Sequence, residues 1–226
     1  MKLFFSVFLL FFLNQTILLA KNFTAEYDVK TRGFSIGKLF LELDIEKTNY
    51  EMSIELKNKG LFSGLYTFEG NYLVSGIIDK NKIYPTQYKQ HWITRKKNRK
   101  VKIIFKKNKL IQLSMAPEEK ELPRINYNDL EGYLDPLSSF LNILINGVNS
   151  KTVDGRRTYT LVIEVNKNSN EKKNKITVKD YVNIWADHKR NDLEYIEITR
   201  KKNKDFELPS EINIMFKKML FKLNRN

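Results

Sequence analysis

Apolar and polar residues alternate along most of the chain, which is the pattern of β-strands that bury one face. A clean period-two set runs through Tyr50, Met52, Ile54 and Leu56. The alternation predicts strands at 23–29, 34–46, 50–56, 66–74, 83–93, 100–105, 110–113, 159–165, 176–185, 194–200 and 212–223. Short polar turns join consecutive strands, so we expect an antiparallel meander and not parallel βαβ units.

Glycines interrupt this pattern at two places. The phase of the alternation changes at Gly37, which predicts a β-bulge or bend where a side chain would be in the way. The dipeptide Ser75-Gly76 follows the apolar positions of 66–74 and predicts the end of that strand.

One segment, 134–148, has the period of a helix instead. Asp135 is a good N-cap, Pro136 suits the first helical position, and Gly147 lies where the helix should end. The apolar positions form one wide stripe: Leu134, Leu137, Phe140, Leu141, Ile143, Leu144, Ile145 and Val148. Because nothing in the segment is charged after Asp135, we expect the helix to be buried against the sheet.

These elements predict a mainly β fold with one central helix, in which a strongly curved antiparallel sheet or half-barrel wraps around the helix. Burying each leucine-sized side chain contributes roughly 1.5–3 kcal/mol to the stability of the fold. A structural role in the core is therefore enough to explain the apolar helix. The alternative is an apolar cavity between helix and sheet, and the apolar pattern does not separate the two. The side chains that would line such a ligand site are Leu137, Phe140, Leu141, Leu144 and Ile145.

The amino terminus has the organisation of a secretory signal. Lys2 precedes the apolar run Leu3–Leu13, a polar tripeptide interrupts the run, and Ala20 stands before a polar sequence. The run is shorter than the roughly 20 apolar residues that a membrane-spanning helix needs. We therefore expect a signal peptide at 1–20, a single β-rich domain at 21–226 and a periplasmic location. An uncleaved signal that anchors the protein to the membrane is the alternative.

The formal net charge of +14 comes mainly from lysines spread over the whole chain. The densest cluster, here called the basic patch, consists of Arg95, Lys96, Lys97, Arg99 and Lys100. A solvated strand face is the first interpretation of this patch, and contact with an anionic lipid or cell-wall polymer is the alternative. We expect no nucleic-acid partner, because no stacking aromatic residues accompany the lysines and the protein is predicted to be exported.

No catalytic signature is present. Ser138 and Ser139 have no Gly-x-Ser-x-Gly context, and serines at a helix start more often bond to backbone groups. His91 and His188 lack metal-binding spacing, and the chain has no cysteine for a disulfide or a thiolate ligand. We therefore expect no catalytic residue, no metal and no cofactor. A hydrolase that uses two converging carboxylates is the remaining enzymatic alternative.

A series of short motifs resembles one bacterial family. The motifs are Tyr27-x-Val29, Gly33-x-x-x-Gly37, Tyr50–Ile54, Gly60, Ser75-Gly76, Pro85–Tyr88, Asp135–Leu141, Ile184–Asp187 and Leu208–Ile212. Of these, the Asp-Pro-Leu-Ser-Ser helix start is the most specific. Over nearly all of residues 21–226 the chain resembles the domain-of-unknown-function family numbered 3108, whose members are mostly exported envelope proteins. The resemblance implies a curved antiparallel sheet on a helix, similar in plan to periplasmic lipoprotein carriers, with no established catalytic residues.

Three functional classes remain, in order of preference. The first is an exported cell-envelope protein that binds an acyl chain or another apolar ligand inside the half-barrel. The second is a structural or interaction module that docks an envelope partner through a sheet edge or the basic patch. The third is the hydrolase.

Overall fold

The computed structural model describes residues 21–58, 68–166, 171–185, 192–201 and 206–226. Within these ranges, thirteen strands form one antiparallel sheet. They are β1 Lys21–Thr31, β2 Phe34–Glu46, β3 Asn49–Asn58, β4 Phe68–Asp79, β5 Lys82–Thr94, β6 Lys97–Lys106, β7 Lys109–Ala116, β8 Ser150–Val153, β9 Arg157–Asn166, β10 Glu171–Asn183, β11 Leu193–Lys201, β12 Glu211–Phe216 and β13 Met219–Arg225. The short strand β8 was not expected, because only its last residue is strongly apolar.

The order of the strands in the sheet follows the chain except at one pairing. Strands β7 to β1 are consecutive neighbours, β1 pairs with β13, and β13 to β8 are again consecutive neighbours. Tyr27 of β1 lies opposite Arg225 of β13, and Val29 lies opposite Leu223. A 3₁₀ helix, Tyr127–Leu130, and the α-helix α1 come between β7 and β8 in the chain. The predicted fold class, a mainly β antiparallel meander with one central helix, is confirmed.

Two-residue turns with left-handed backbone connect several of the strands. Lys80 and Asn81 have φ angles of 47° and 67°, and Lys217 and Lys218 have φ angles of 50° and 60°. Positive φ at both central positions matches the right-handed twist of the flanking strands. Two lysines give no sequence signal for such a turn, so the prediction of one strand at 212–223 is wrong and two strands form there.

The bulge that was predicted near Gly37 is present. The register between β1 and β2 shifts between Val29 and Lys30, directly after the pair of Val29 with Gly37. A Cβ atom on Gly37 would collide with the backbone carbonyl oxygen of Lys57 on the neighbouring strand. The glycine is therefore required by the close approach of two strands.

The prediction of a strand end at Ser75-Gly76 is wrong, because β4 continues to Asp79. The register between β4 and β5 shifts between Ser75 and Gly76, so this glycine marks a bulge inside a strand. A Cβ atom on Gly76 would lie 2.7 Å from the hydroxyl oxygen of Tyr50. Gly76 thus leaves the space in which the Tyr50 side chain reaches the helix.

Inward-facing side chains from both halves of the sheet pack with the helix in one hydrophobic core. Tyr27, Tyr88 and Ile176, on strands far apart in the sheet, all have no solvent exposure. On the helix itself, Leu141 and Ile143 are equally buried. The burial expected for the helix is confirmed.

The helix α1, Pro136–Asn146, is shorter than the predicted segment 134–148. Its N-cap is Asp135 and its C-cap is Gly147 in left-handed backbone with a φ angle of 63°, as the sequence indicated. Leu134 instead forms a parallel β-bridge with Thr152, so it belongs to the sheet edge. Val148 follows the C-cap and is about half exposed.

The two edge strands, β7 and β8, are not paired with each other in the described part of the chain. Nevertheless the sheet curves enough to bring its two ends into contact. A Cβ atom on Gly155, in the β8–β9 turn, would collide with Val101 of β6 and lie 3.3 Å from Leu113 of β7. The segment after β7 also crosses this gap, because the backbone N–H of Arg124 donates to the carbonyl oxygen of Ile184. Within the described ranges the architecture is therefore barrel-like but not closed by strand pairing.

The predicted signal segment, residues 1–20, lies outside the described residues. Among the helices in the described ranges, none is long and apolar enough to cross a membrane.

Candidate functional site

The helix occupies the end of the sheet where the β2–β3 and β4–β5 turns lie. Near its carboxyl end, the Asn146 amide donates a 2.7 Å hydrogen bond to the carbonyl oxygen of Asn81 in the β4–β5 turn. At its amino end, Ser138 contacts Tyr50 at the start of β3. The helix therefore lies across one end of the curved sheet.

The ligand-lining side chains predicted from the sequence divide into two groups. Leu137, Leu141 and Leu144 are core residues with 5%, 0% and 3% exposure. Phe140 and Ile145 are only partly buried and pack against the same core. All of them therefore lie at the helix–sheet interface, with the leucines at its centre.

A chain of buried polar side chains holds the amino end of the helix. One carboxylate oxygen of Asp135 accepts hydrogen bonds from the backbone N–H groups of Leu137 and Ser138, each at 3.0 Å. The other accepts a hydrogen bond from the Ser138 hydroxyl, whose oxygen lies 2.7 Å from the Tyr50 hydroxyl. Burial raises the pKa of Asp135 to about 6, although these hydrogen bonds oppose the change. Since Asp135 and Ser138 have no solvent exposure, their evident role is to fix the helix to β3.

The neighbouring serine makes a second connection. The hydroxyl of Thr152 on β8 donates a 2.8 Å hydrogen bond to the hydroxyl oxygen of Ser139. Both serines therefore bond to side chains, and not to backbone N–H groups as the sequence suggested. Together they tie the helix start to β3 and β8, which are far apart in the strand order.

The carboxyl end of the helix faces a different set of polar groups. The Arg200 side chain on β11 donates one hydrogen bond of 2.6 Å from Nη1 to the carbonyl oxygen of Leu144. Its Nε and Nη2 atoms are buried and have no hydrogen-bond partner, and the residue is only 8% exposed. Burial lowers the pKa of the guanidinium group, and no charged neighbour opposes that change.

Further unpartnered polar atoms lie in the same half of the sheet. Both the oxygen and the nitrogen of the Asn174 amide on β10 are buried without a partner, and so is the Ser150 hydroxyl on β8. Asn174 pairs with Ile198, which precedes Arg200 by two residues and has the same inward face. A diagonal pair of this kind is about 7–8 Å apart, within reach of long side chains. Arg200 and Asn174 therefore form an unsatisfied polar site, here called the Arg200 site.

Sequence reasoning missed the Arg200 site, although one signal was available. Arg200 follows Ile196 and Ile198 at a spacing of two residues, so it lies on the same face of the predicted strand as these apolar side chains. A cation on an apolar face was therefore visible in the sequence. Asn174 gave no such signal, because it lies in the segment 166–175, which was predicted to be a polar turn. In the structure β9 and β10 extend into that segment.

The basic patch is divided by the strand alternation. Arg95 and Lys96 form the β5–β6 turn, and Lys97 and Lys100 are exposed strand residues. Arg99 pairs with Trp92 on the inward face at the rim and is partly buried. The structure thus does not gather the five cations on one face.

A groove of about 730 Å³ crosses β3 to β7 on the outer face of the sheet. Its walls include Lys89 and Lys102, which pair directly across β5 and β6, and Lys100, which pairs with His91. Of the basic patch, only Lys100 lines this groove. Like charges placed opposite each other on neighbouring strands repel, so these lysines favour an anionic contact, although Glu55 also lines the groove.

No metal centre is found in the described ranges, where histidines and carboxylates nowhere form a group that could hold an ion. The His91 ring instead contacts the side-chain oxygen of Asn98 at 2.8 Å. His188 lies outside the described residues.

The fold and these sites define an open, barrel-like antiparallel sheet with one helix across its end. The family model described as "Protein of unknown function (DUF3108)" matches residues 26–180, and the chain belongs to this family. Among solved structures, a beta-barrel-like protein of the domain of unknown function DUF1849 from Brucella abortus is similar, with a TM-score of 0.53. The match covers 92% of this chain and 96% of that protein at 9% identity, so it supports the fold alone. None of the curated proteins matches the sequence.

Proposed function

We propose that the protein is an exported binding protein of the cell envelope, located in the periplasm, which holds an acyl chain or another apolar ligand between α1 and the sheet. One observation carries the proposal. Arg200 and Asn174 present buried polar atoms without partners in an interior that is largely apolar. A ligand with a polar head and an apolar body would satisfy both parts of that interior.

The energetics favour a ligand over a purely structural explanation. Each buried donor or acceptor without a partner costs about 1–3 kcal/mol, and more when it is charged. Folded proteins pair nearly all such groups, so several unpartnered atoms in one region call for a bound partner such as water, an ion or a ligand, and the proposal takes the ligand. Apolar side chains surround them: Leu144, Ile176, Ile198 and Ile212 are each at most 5% exposed.

The proposal describes a binding protein and not an enzyme, and it requires no metal or cofactor. Ser138 lies beside the Asp135 carboxylate, to which its hydroxyl donates a hydrogen bond. Its oxygen is already engaged by Tyr50. The proposal therefore assigns the Ser138 hydroxyl a role in packing and not in nucleophilic attack.

Mass spectrometry of the protein purified from its native source without detergent tests the proposal. We expect acyl lipids to be retained in amounts comparable to that of the protein. As a control, heat-denatured protein is carried through the same steps to measure the amount of lipid that is bound non-specifically. A purified protein that carries no more lipid than this control would contradict the binding function.

Amino-terminal sequencing of the same material tests the location separately. We expect the mature chain to begin at or near Lys21, because residues 1–20 have the organisation of a signal peptide. Intact Met1 in a soluble cytoplasmic fraction would refute export.

The outer groove supports a second candidate function, an interaction module that docks on an anionic envelope surface. Exchanging Lys89 and Lys102 for Gln should weaken binding to anionic liposomes at low salt, because it removes the paired cations of the groove. A matched variant with Lys218→Gln and Lys222→Gln removes the same charge from β13 and its turn. Equal losses in both variants would mean that only net charge matters.

A further inference from the structure

We propose that the Arg200 site binds the carboxylate head of an acyl ligand through the Nε and Nη2 atoms of Arg200. This inference rests on the proposed binding function and specifies its ligand as a fatty acid. It assigns the charged anchor and the residue that selects acids over neutral lipids.

The geometry of the guanidinium group is the first argument. An arginine binds a carboxylate most specifically with two parallel N–H groups on one edge of its planar fork. In Arg200, Nη1 is occupied by the carbonyl oxygen of Leu144, while Nε and Nη2 are unpartnered. These two atoms form one edge of the fork. This free edge can therefore donate one hydrogen bond to each oxygen of a carboxylate.

Charge is the second argument. Ion pairs in the described ranges join several arginines to carboxylates, for example Arg157 to Asp192 at 3.6 Å, but none involves Arg200. A buried cation without a counter-ion is costly, since removal from water is not compensated by an opposite charge. A bound anion would supply that charge.

Asn174 is the third argument. Its amide is 1% exposed, has no partner, and lies on the neighbouring strand diagonally from Arg200. The amide nitrogen of Asn174 can donate to an oxyanion beside the two donors of Arg200, while its oxygen accepts and would need a separate donor.

The surroundings of the site select the rest of the ligand. Ile198 lies directly opposite Asn174 and two residues before Arg200 on the inward face, and it pairs with Ile212 on β12. Leu144 covers the same region from the helix. A small hydrated ion would lose its water among these apolar residues, which costs free energy. An acyl chain would gain free energy, because its contact with them removes apolar surface from water.

Binding of lauric acid and lauryl alcohol, which have the same chain length, tests the inference at neutral pH by displacement of a fluorescent probe. We expect the wild-type protein to bind the acid roughly tenfold more tightly or better, which corresponds to about one charge-assisted hydrogen bond. Arg200→Met should bind both ligands with the affinity of the alcohol. Arg200→Lys retains the charge but not the two-donor edge, so it should lose most of the preference.

Lys173→Met is the matched control, because it removes a cation from the outer face beside Asn174 and should leave the preference unchanged. Denaturant midpoints verify that each variant folds, and Arg200→Lys carries the test if Arg200→Met does not fold. Equal binding of acid and alcohol by wild type and Arg200→Met overturns the anchor while the binding function stands. If neither ligand binds, the binding function itself fails. Tight binding of inorganic phosphate that Arg200→Met loses would overturn the acyl assignment and indicate a free-anion site.

Discussion

Replacing Asp135 with Asn should change how the stability of the protein depends on pH. Burial raises the pKa of this carboxyl from 3.8 to about 6, so the folded chain binds its proton more tightly than the unfolded chain does. The free energy of unfolding should therefore fall as the pH rises from about 4 to about 6. A difference of about two pKa units corresponds to about 3 kcal/mol, an upper figure because the group is coupled to its neighbours.

Asparagine isolates this contribution because it preserves the cap. It is as good an N-cap as aspartate, and its side-chain oxygen can accept from the N–H groups of Leu137 and Ser138 as before. Its amide would donate to the Ser138 oxygen, and the Ser138 hydroxyl would then donate to Tyr50, since either atom of that pair can be the donor. Asp135→Asn should therefore gain stability relative to wild type as the pH rises, by up to about 3 kcal/mol at pH 7.5.

Denaturant titrations of wild type, Asp135→Asn and Asp135→Ala at pH 4.5 and 7.5 measure the effect. The alanine variant should also lack the pH dependence but lose about 1–3 kcal/mol at both values, because buried N–H groups at the helix start lose their acceptor. Asp135→Asn and wild type with parallel stability profiles would refute the reasoning. That result would mean that Asp135 is ionised in the folded chain without penalty.

Two further substitutions test the packing that positions the helix. Gly76→Ala should cost about 1–3 kcal/mol, because the added methyl group overlaps the Tyr50 ring, whereas Ser75→Ala on the same strand should change the unfolding midpoint little. Leu141→Trp should leave the unfolding midpoint unchanged or raise it and should weaken lauric acid binding, because the proposed acyl chain needs unfilled space beside the helix; a loss of about 1–3 kcal/mol with unchanged lauric acid binding would indicate a packed core at Leu141.

Alternation and capping signals were sufficient to predict the meander and the helix, because both depend on local chemistry. The period-two set of β3 and the sequence Asp135-Pro136 each determine one element with few competing alternatives. The wrong predictions concern features that depend on contacts between strands. The turn at Lys217-Lys218 and the course of β4 past Gly76 are imposed by neighbouring strands, which the local sequence does not encode.

The candidate sites were predicted less well than the fold. The leucines of the helix were correctly placed at the interface, since an apolar stripe must be buried somewhere. A site, however, depends on which polar atoms remain unsatisfied, and that is a property of the assembled sheet. The pairing of Asn174 with Ile198 brings an amide beside Arg200, and no spacing in the sequence indicates that pairing.

The two ends of the helix are held in different ways, and this difference bears on function. The amino end is fixed by Asp135 and by both serines, whose hydroxyl groups are all engaged inside the protein. At the carboxyl end, Arg200 uses only Nη1 for the helix, so an acid bound at the other edge would not compete with that contact. In the proposed function, the ligand would therefore load and release while α1 stays in place. Such a property suits a carrier, because empty and loaded forms then share one fold.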